Sequence, residues 1–380
     1  MMLNKEEIKL YDRHIKLNEI GLEGQLKLKS AKVLVVGAGG LGCPVLQYLT
    51  ATGVGTIGIV DFDVVEISNL QRQVLYTFND IGKNKAEQAS DHLKLKNPFV
   101  HFDCFTEKIT VGNTLKIFSD YDIIIDCTDN FETRYLINDA CVLTNKTLVF
   151  GSVEKFAGQV TVFNFPVEKM QRTGTYRCLF PQPSDVNTIF NCEELGVLGI
   201  LPGLIGTIQA TETIKIITGL GETLAGKLLI IDASTMSFDQ IQFSRNEKIW
   251  KNFPQTREEL ENFNYHAFCS SSTANSKIKT ISPENLNINI KNNKPMQILD
   301  VRNPNELPAL LSNNLLQIPV DEIRNRQTEI RKDIPVIVVC TSGQRSKNVI
   351  EILQKDYGLD NLFNLAGGIS EWNSKSGILK

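Results

Sequence analysis

Six residues, Gly37-Ala38-Gly39-Gly40-Leu41-Gly42, constrain this chain more than any others. They follow a short apolar run, Lys32-Val33-Leu34-Val35-Val36, and open a segment with helical spacing. Glycines at such a strand-to-helix joint let backbone amides approach a phosphate or ribose at the positive end of the helix. Asp61 lies 19 residues beyond Gly42, closing the run Thr56-Ile57-Gly58-Ile59-Val60. A carboxylate there can accept from ribose hydroxyls. Taken alone, the motif admits a nicotinamide dinucleotide, another nucleotide or a purely structural turn.

Further apolar runs follow at Tyr121–Cys127, Thr147–Phe150 and Gln159–Phe163. They are continuous rather than alternating, as expected of strands covered on both faces, hence of a mostly parallel sheet. Pro202 to Gly219 reads as a helix, with Ile205, Ile208, Ala210, Ile214 and Ile217 as its apolar face and Gly219 as its cap. The pattern weakens after Arg245 and resumes near Ile278, with strands at Gln297–Val301 and Pro335–Cys340 and a helix from Ser346 to Lys355. The expected fold class is therefore α/β twice over. A doubly wound sheet occupies 1–245, a linker 246–277, and a smaller α/β domain 278–380.

The chain carries 40 Lys and Arg against 43 Asp and Glu, a net charge of −3. That balance, with no basic cluster, argues against a nucleic-acid or anionic-membrane binder. No apolar run reaches the length of a membrane span, and the amino-terminal residues turn polar at once without a signal core. Eight scattered cysteines do not form a disulfide framework, so a reduced, cytoplasmic protein is expected.

The residues after Asp61 narrow the choice of ligand. Ser68-Asn69-Leu70-Gln71-Arg72-Gln73 supplies an arginine and neighbouring amides, and Lys85 follows. Converging Arg and Lys suit a triphosphate better than a hydride carrier. Asp126-Cys127-Thr128-Asp129-Asn130 closes a third strand, and a strand-end Asp beside a triphosphate is a natural Mg²⁺ ligand.

Residues 11–245 resemble the MoeB/ThiF family of ubiquitin-activating-type adenylyltransferases, which have a Rossmann-like doubly wound sheet. The resemblance runs through Tyr11-Asp12-Arg13-His14, the glycine loop, Asp61-Phe62-Asp63, Ser68 to Gln73, Lys85 and Asp126 to Asn130. It continues in Tyr176-Arg177-Cys178-Leu179-Phe180-Pro181 and Asn191-Cys192-Glu193-Glu194-Leu195-Gly196-Val197. It implies adenylation of the carboxy-terminal glycine of a ubiquitin-fold sulfur carrier, with release of pyrophosphate. By the same resemblance, ATP would lie on Gly37, Gly39, Gly40 and Gly42, with its ribose on Asp61. Asp63, Ser68 and Asn130 would complete the nucleotide site. Asn69, Arg72 and Lys85 would hold the phosphates, and Asp129 the Mg²⁺. Arg13 is similar to an arginine inserted from a partner subunit, which implies a homodimer. Carboxylate attack on a phosphate forces anions together, so cations and a metal must offset the repulsion.

The family usually holds a structural zinc with two C-x-x-C pairs. Here Cys178 has Thr175 three residues before it, and Glu247-Lys248-Ile249-Trp250 contains no cysteine. One ligand of four cannot hold tetrahedral zinc, and Cys269 with His266 is a poor substitute. No zinc is expected, and apolar packing is expected to clamp this region instead. Cys43, Cys104, Cys127 and Cys141 read as core. Cys192 is either a small buried residue or, by the resemblance, a thiol that forms a thioester or acyl disulfide with the activated carrier.

Cys340 closes a strand and opens Thr341-Ser342-Gly343-Gln344-Arg345-Ser346 before a helix. Backbone amides, the helix dipole and Arg345 are expected to stabilise a thiolate or persulfide there. Residues 278–380 resemble a rhodanese domain through Leu299-Asp300-Val301-Arg302, Ile318-Pro319, the Cys340 loop and Leu365 to Trp372. Asp300 and Arg302 are expected to organise the loop. Together the two resemblances imply activation and sulfuration of a MoaD-like or ThiS-like carrier, in molybdopterin or thiamine biosynthesis. A persulfide donor such as a cysteine desulfurase would supply Cys340. The rival readings are a nicotinamide oxidoreductase, a carrier-binding module without catalysis, and a same-fold enzyme acting on a tRNA base.

Overall fold

The computed structural model describes residues 2–167, 171–183, 196–250, 253–270, 278–310 and 314–376. They divide into two compact units, the first reaching Cys269 and the second starting at Ser270.

The first unit is built on an eight-stranded sheet in the order β3-β2-β1-β4-β5-β6-β7-β8. Its strands are β1 (Lys32–Val36), β2 (Thr56–Val60), β3 (His101–Phe105), β4 (Ile123–Asp126), β5 (Thr147–Glu154), β6 (Ala157–Phe163), β7 (Lys227–Asp232) and β8 (Ser237–Gln242). Strands β3 through β5 are parallel, and β6, β7 and β8 are added antiparallel. The continuous apolar runs have the expected cause. Val33 and Val35 enter the core on one face, and Leu34 and Val36 enter a second core on the other. The helix Leu201–Thr218 closes the first face, packing on the helix Gly42–Thr52 and on β5 and β6. Ile205 and Ala210 are buried as expected, and Gly219 takes the left-handed cap conformation.

β1 lies between β2 and β4, so the chain direction of the crossovers reverses beside it. Open α/β sheets bind ligands in the crevice at such a reversal, outside the carboxyl ends of the strands. Here Val36 pairs with both Val60 and Asp126, which sets Gly37, Asp61 and Cys127 side by side at that edge.

Much of the stretch expected as a linker folds onto the first unit. It contains the helices Glu247–Trp250, Arg257–Asn262 and Tyr265–Ser270. The clamp is also not apolar packing alone. Arg177 and Asp139 are both fully buried, with Arg177 Nε 2.6 Å and Nη2 2.5 Å from the carboxylate, and Tyr265 donates to the same carboxylate at 2.8 Å. The guanidinium carbon lies 3.6 Å from the Phe253 ring centre and 4.9 Å from that of Phe268. A charge buried this deeply requires such pairing, and the aromatic faces add a favourable quadrupole. Cys178 accepts from the Asn246 amide at 3.4 Å and lies 3.4 Å from the Thr175 hydroxyl.

The second unit is a five-stranded parallel sheet in the order β11-β10-β12-β13-β9. Its strands are β9 (Lys279–Ile281), β10 (Gln297–Asp300), β11 (Leu315–Gln317), β12 (Val336–Val339) and β13 (Leu362–Leu365). Both faces are again covered, Val336 and Val338 entering one core, Ile337 and Val339 the other. β12 points Cys340 into the start of the helix Gln344–Tyr357.

Candidate functional site

The glycine loop continues the β1 ladder for one more step. The Gly37 amide donates to Val60 at 2.8 Å, and the Cys127 amide donates to Val36 at 2.9 Å. Gly37 has φ +97°, and a Cβ there would stand 2.7 Å from the Cys127 carbonyl oxygen. Gly42 plays a different part from the one expected. Its missing Cβ would stand 2.0 Å from the Gly37 carbonyl, so this glycine lets the helix start close to the loop rather than touching a ligand.

A cleft of about 1050 Å³, open to solvent, lies over this loop. Gly37, Gly39, Gly40, Asp61, Asp63, Asn69, Arg72, Lys85, Asp129 and Asn130 all line it. Ser68 does not. Its hydroxyl turns to Glu66 at 3.3 Å, and its carbonyl receives Arg72 Nη1 at 3.1 Å. Ser68 therefore aims the arginine through its backbone. Arg13 is exposed on the short helix Asp12–Ile15, away from this wall of its own chain.

Asp61 accepts from the Ala38 amide at 2.8 Å and the Asp63 amide at 2.9 Å. Each carboxylate oxygen keeps a second lone pair, so this bracing leaves acceptor capacity facing the cleft. Burial raises the Asp61 carboxyl above the usual range, while Lys85 and the two amides oppose the rise. Lys85 is buried, with its Nζ 3.1 Å from Asp63. The Tyr76 hydroxyl pins the loop from below, donating to Ala38 at 2.8 Å, and lies 3.2 Å from the Lys85 carbonyl oxygen.

On the other wall, Asn130 caps the helix Phe131–Leu143 by accepting from the Thr133 amide. Asp129 is exposed in the cleft. Beneath it Asp126 is buried, with one oxygen held by the Thr128 amide at 2.9 Å and hydroxyl at 2.6 Å. Its Oδ2 has no hydrogen-bond partner among the described residues. Burial pushes its carboxyl up, with Arg134 the largest opposing influence.

Arg134 and Lys108 also line the cleft, and the residue motifs did not point to them. Arg134 donates to the Thr128 carbonyl at 2.9 Å and stands 5.6 Å from the Phe131 and Phe150 ring centres. Its position one helical turn beyond the Asn130 cap was the available signal. Lys108, 6.0 Å from the Phe62 ring centre, follows a strand end with no motif to mark it.

Four cations and three carboxylates thus meet at the carboxyl ends of β1, β2, β3 and β4. The half-buried glycine backbone, the Asp61 acceptors and this mixed charge fit a nucleotide triphosphate, and Asp129 stands exposed among them. The profile of the ThiF family matches residues 11–251, and that of the rhodanese-like domain matches residues 282–375. The chain belongs to the ThiF family. A probable adenylyltransferase/sulfurtransferase MoeZ of Mycobacterium tuberculosis is 38% identical over 376 residues, covering 97% of this chain and 94% of its own. A sulfur carrier protein adenylyltransferase of Thermus thermophilus is 46% identical over 271 residues, 71% of this chain and 99% of its own. An adenylyltransferase and sulfurtransferase MOCS3 of Sus scrofa is 36% identical over 400 residues, 98% of this chain and 87% of its own. Among solved structures, E. coli MccB with ATP superposes with TM-score 0.54 at 25% identity, over 64% of this chain and 73% of that one. A PaaA structure shares the fold at 23% identity with the same TM-score, over 64% of this chain and 76% of that one.

The second unit carries the second chemical feature of this ThiF-family chain. Cys340 is fully buried, and its sulfur accepts from the Gly343 amide at 3.1 Å and the Ser346 amide at 3.4 Å. The Ser346 hydroxyl lies 3.4 Å away and donates to Asn364 at 2.5 Å. The expected amide nest at a helix amino terminus is present. The expected arginine is not aimed at the sulfur. Arg345 makes a two-pronged ion pair with Glu306, at 2.6 and 2.7 Å, and donates to the Thr341 hydroxyl at 2.8 Å. A carboxylate offers the guanidinium a full charge and matching fork geometry, which a buried sulfur cannot equal. Asp300 and Arg302 pair with each other, buried, at 2.8 Å, and Arg302 also donates to the Pro308 carbonyl at 3.1 Å. They tie the end of β10 to the 303–308 turn that presents Glu306.

Cys43, Cys127 and Cys141 are buried, and burial raises all three thiols. Cys127 in addition borders the cleft, and Cys104 is exposed rather than part of the core. Cys192 lies outside the described residues.

Proposed function

We propose that this chain adenylates the carboxy-terminal glycine of a MoaD-like or ThiS-like ubiquitin-fold sulfur carrier and delivers sulfur to it from Cys340. The observation that carries the reading is the convergence of Arg72, Lys85, Asp61 and Asp129 on one open cleft in a chain that also holds an amide-ringed cysteine.

The carrier carboxylate is already ionised near neutral pH, so no protein base is needed. Its attack on the α-phosphate forms the acyl–phosphate bond and breaks the bond to pyrophosphate. Arg72 and Lys85 neutralise the phosphates, and Asn69 orients them. Asp61 and the Gly39–Gly40 backbone hold the nucleoside, with Asp63 bracing Lys85. Magnesium bound with ATP would be held by Asp129, beside Asn130, and would supply charge neutralisation. Arg134 and Lys108 add positive charge on the opposite wall. Arg13 serves the partner's cleft in a homodimer.

Sulfur transfer then uses Cys340 as a persulfide, loaded by a donor such as a cysteine desulfurase. Its terminal sulfur attacks the acyl carbon and AMP leaves, giving an acyl disulfide. A second thiol, for which Cys192 is the candidate, attacks the Cys340 sulfur and releases the carrier thiocarboxylate, leaving a disulfide between the two cysteines. The setting is molybdopterin or thiamine biosynthesis in the cytoplasm. No helix among the described residues is long and apolar enough to cross a membrane.

The test is carrier-dependent ATP–pyrophosphate exchange with purified MoaD-like and ThiS-like carriers in parallel. Exchange with one carrier is expected and names the pathway. Exchange with neither, in folded protein that binds ATP, overturns the reading.

A further inference from the structure

One buried hydroxyl joins three segments of the nucleotide cleft. Tyr76 is buried and does not itself line the cleft. Its hydroxyl carries one proton and lies between two carbonyl oxygens, that of Ala38 in the glycine loop at 2.8 Å and that of Lys85 at 3.2 Å. Tyr76 also ends the segment that brings Asn69, Arg72 and Gln73 to the cleft, its amide donating to the Gln73 carbonyl at 3.2 Å. The Ala38 amide donates to Asp61 at 2.8 Å, and Asp61 also accepts from the Asp63 amide at 2.9 Å. The Lys85 amide donates to the Asp63 carbonyl at 2.9 Å, and Lys85 Nζ lies 3.1 Å from the Asp63 carboxylate. Tyr76, Ala38, Asp61, Asp63 and Lys85 therefore form a closed circuit, in which the hydroxyl spans from the glycine loop to the Lys85 backbone. Burial raises the phenol above its ordinary range, so the hydroxyl stays a donor near neutral pH.

We infer that Tyr76 is a positioning residue that couples the two ends of the nucleotide site, holding the ribose acceptor Asp61 and the phosphate cation Lys85 at one spacing. This role deepens the proposed function and rests on the cleft holding ATP as described there. The Ala38 peptide is fixed at both ends, its N–H by Asp61 and its carbonyl by Tyr76. Without the hydroxyl, the Ala38 carbonyl keeps the Cys43 thiol at 3.6 Å, a weak donor. The peptide is then free to rotate and to draw its amide away from Asp61, and the Lys85 backbone loses its tie to the loop. Networks of this kind act as units, because moving one member changes the partners open to the next. Ribose recognition and phosphate recognition should therefore weaken together when a hydroxyl that touches neither is removed.

The experiment measures binding to the full chain by calorimetry, with magnesium present, for ATP, for dideoxy-ATP lacking both ribose hydroxyls, and for AMP. The ratio of the dideoxy-ATP to the ATP dissociation constant reads Asp61, and the ratio of AMP to ATP reads the phosphate cations. The parent protein is expected to prefer ATP in both comparisons. Tyr76→Phe should shrink both preferences, each by roughly three- to tenfold. A hydroxyl that served the fold alone would lower the amount of competent protein and leave both ratios where they were. A fall in one ratio only, or in neither, overturns the inference. Reciprocity supplies a second variant should Tyr76→Phe fail to fold. Lys85→Met breaks the circuit at its Asp63 joint, so it should also weaken the preference for the ribose hydroxyls, and an unchanged preference overturns the inference. If the parent binds all three ligands alike, or none of them, the nucleotide reading itself falls, and this role with it.

Discussion

The two units handle anions in opposite ways. The ThiF-type cleft is open to solvent, and it sets four cations and three carboxylates around one space. The Cys340 loop is closed. Its sulfur is buried against amides, and its arginine is already neutralised by Glu306. A site that must bring several anions together keeps its charges loosely compensated, so that the substrate completes the balance. A site that holds a single sulfur anion needs only oriented dipoles, and its one arginine is left to brace the loop against Glu306.

The sharpest way to break this contrast is to remove one function and keep the other. Cys340→Ala should abolish thiocarboxylate formation on the carrier, read by carrier mass, while carrier-dependent ATP–pyrophosphate exchange persists. Loss of both activities in a folded protein would show that the units do not act separately. Asp129→Ala should do the reverse, lowering exchange by about 10²- to 10³-fold while Cys340 still accepts a persulfide.

A third change probes what holds the first unit together. Arg177→Met leaves Asp139 buried without its cation, and should destabilise that unit by about 3–5 kcal/mol in urea unfolding. Replacing both partners with apolar residues should recover much of the loss. If the single variant unfolds like the parent, the aromatic packing alone is the clamp.

The pH dependence of exchange sharpens the comparison further. Asp61 must be ionised to accept both from the backbone and from a ribose, and burial raises its carboxyl above the usual range. Exchange should therefore fall on the acid side at a pH higher than an ordinary carboxylate would give. It should fall about tenfold for each unit below that point. Asp61→Asn should lower exchange and remove this limb; a limb that survives belongs to another group. The smallest effect is expected for Ser68→Ala. Its hydroxyl faces Glu66 and its useful carbonyl is retained, so exchange should change by less than about twofold.

Sequence alone determined the central strands of both sheets and most of the cleft. Continuous apolar runs announced strands buried on both faces, because a parallel sheet leaves neither face to water. The glycine loop, Asp61, Arg72, Lys85 and Asp129 were legible because each sits at a strand end, in a loop or at the start of a helix, where side-chain chemistry is not consumed by core packing. Tertiary structure decided what depends on partners distant in the chain. It added Arg134 and Lys108 to the cleft, and it turned Ser68 outward. It gave Gly42 a packing role against Gly37. It also paired Arg177 with Asp139 where apolar packing was expected, and Arg345 with Glu306 where a sulfur partner was expected. In each of these cases the sequence shows that a charge, a hydroxyl or a bare Cα exists. Which group answers it depends on three-dimensional proximity, and a buried charge takes the strongest partner within reach.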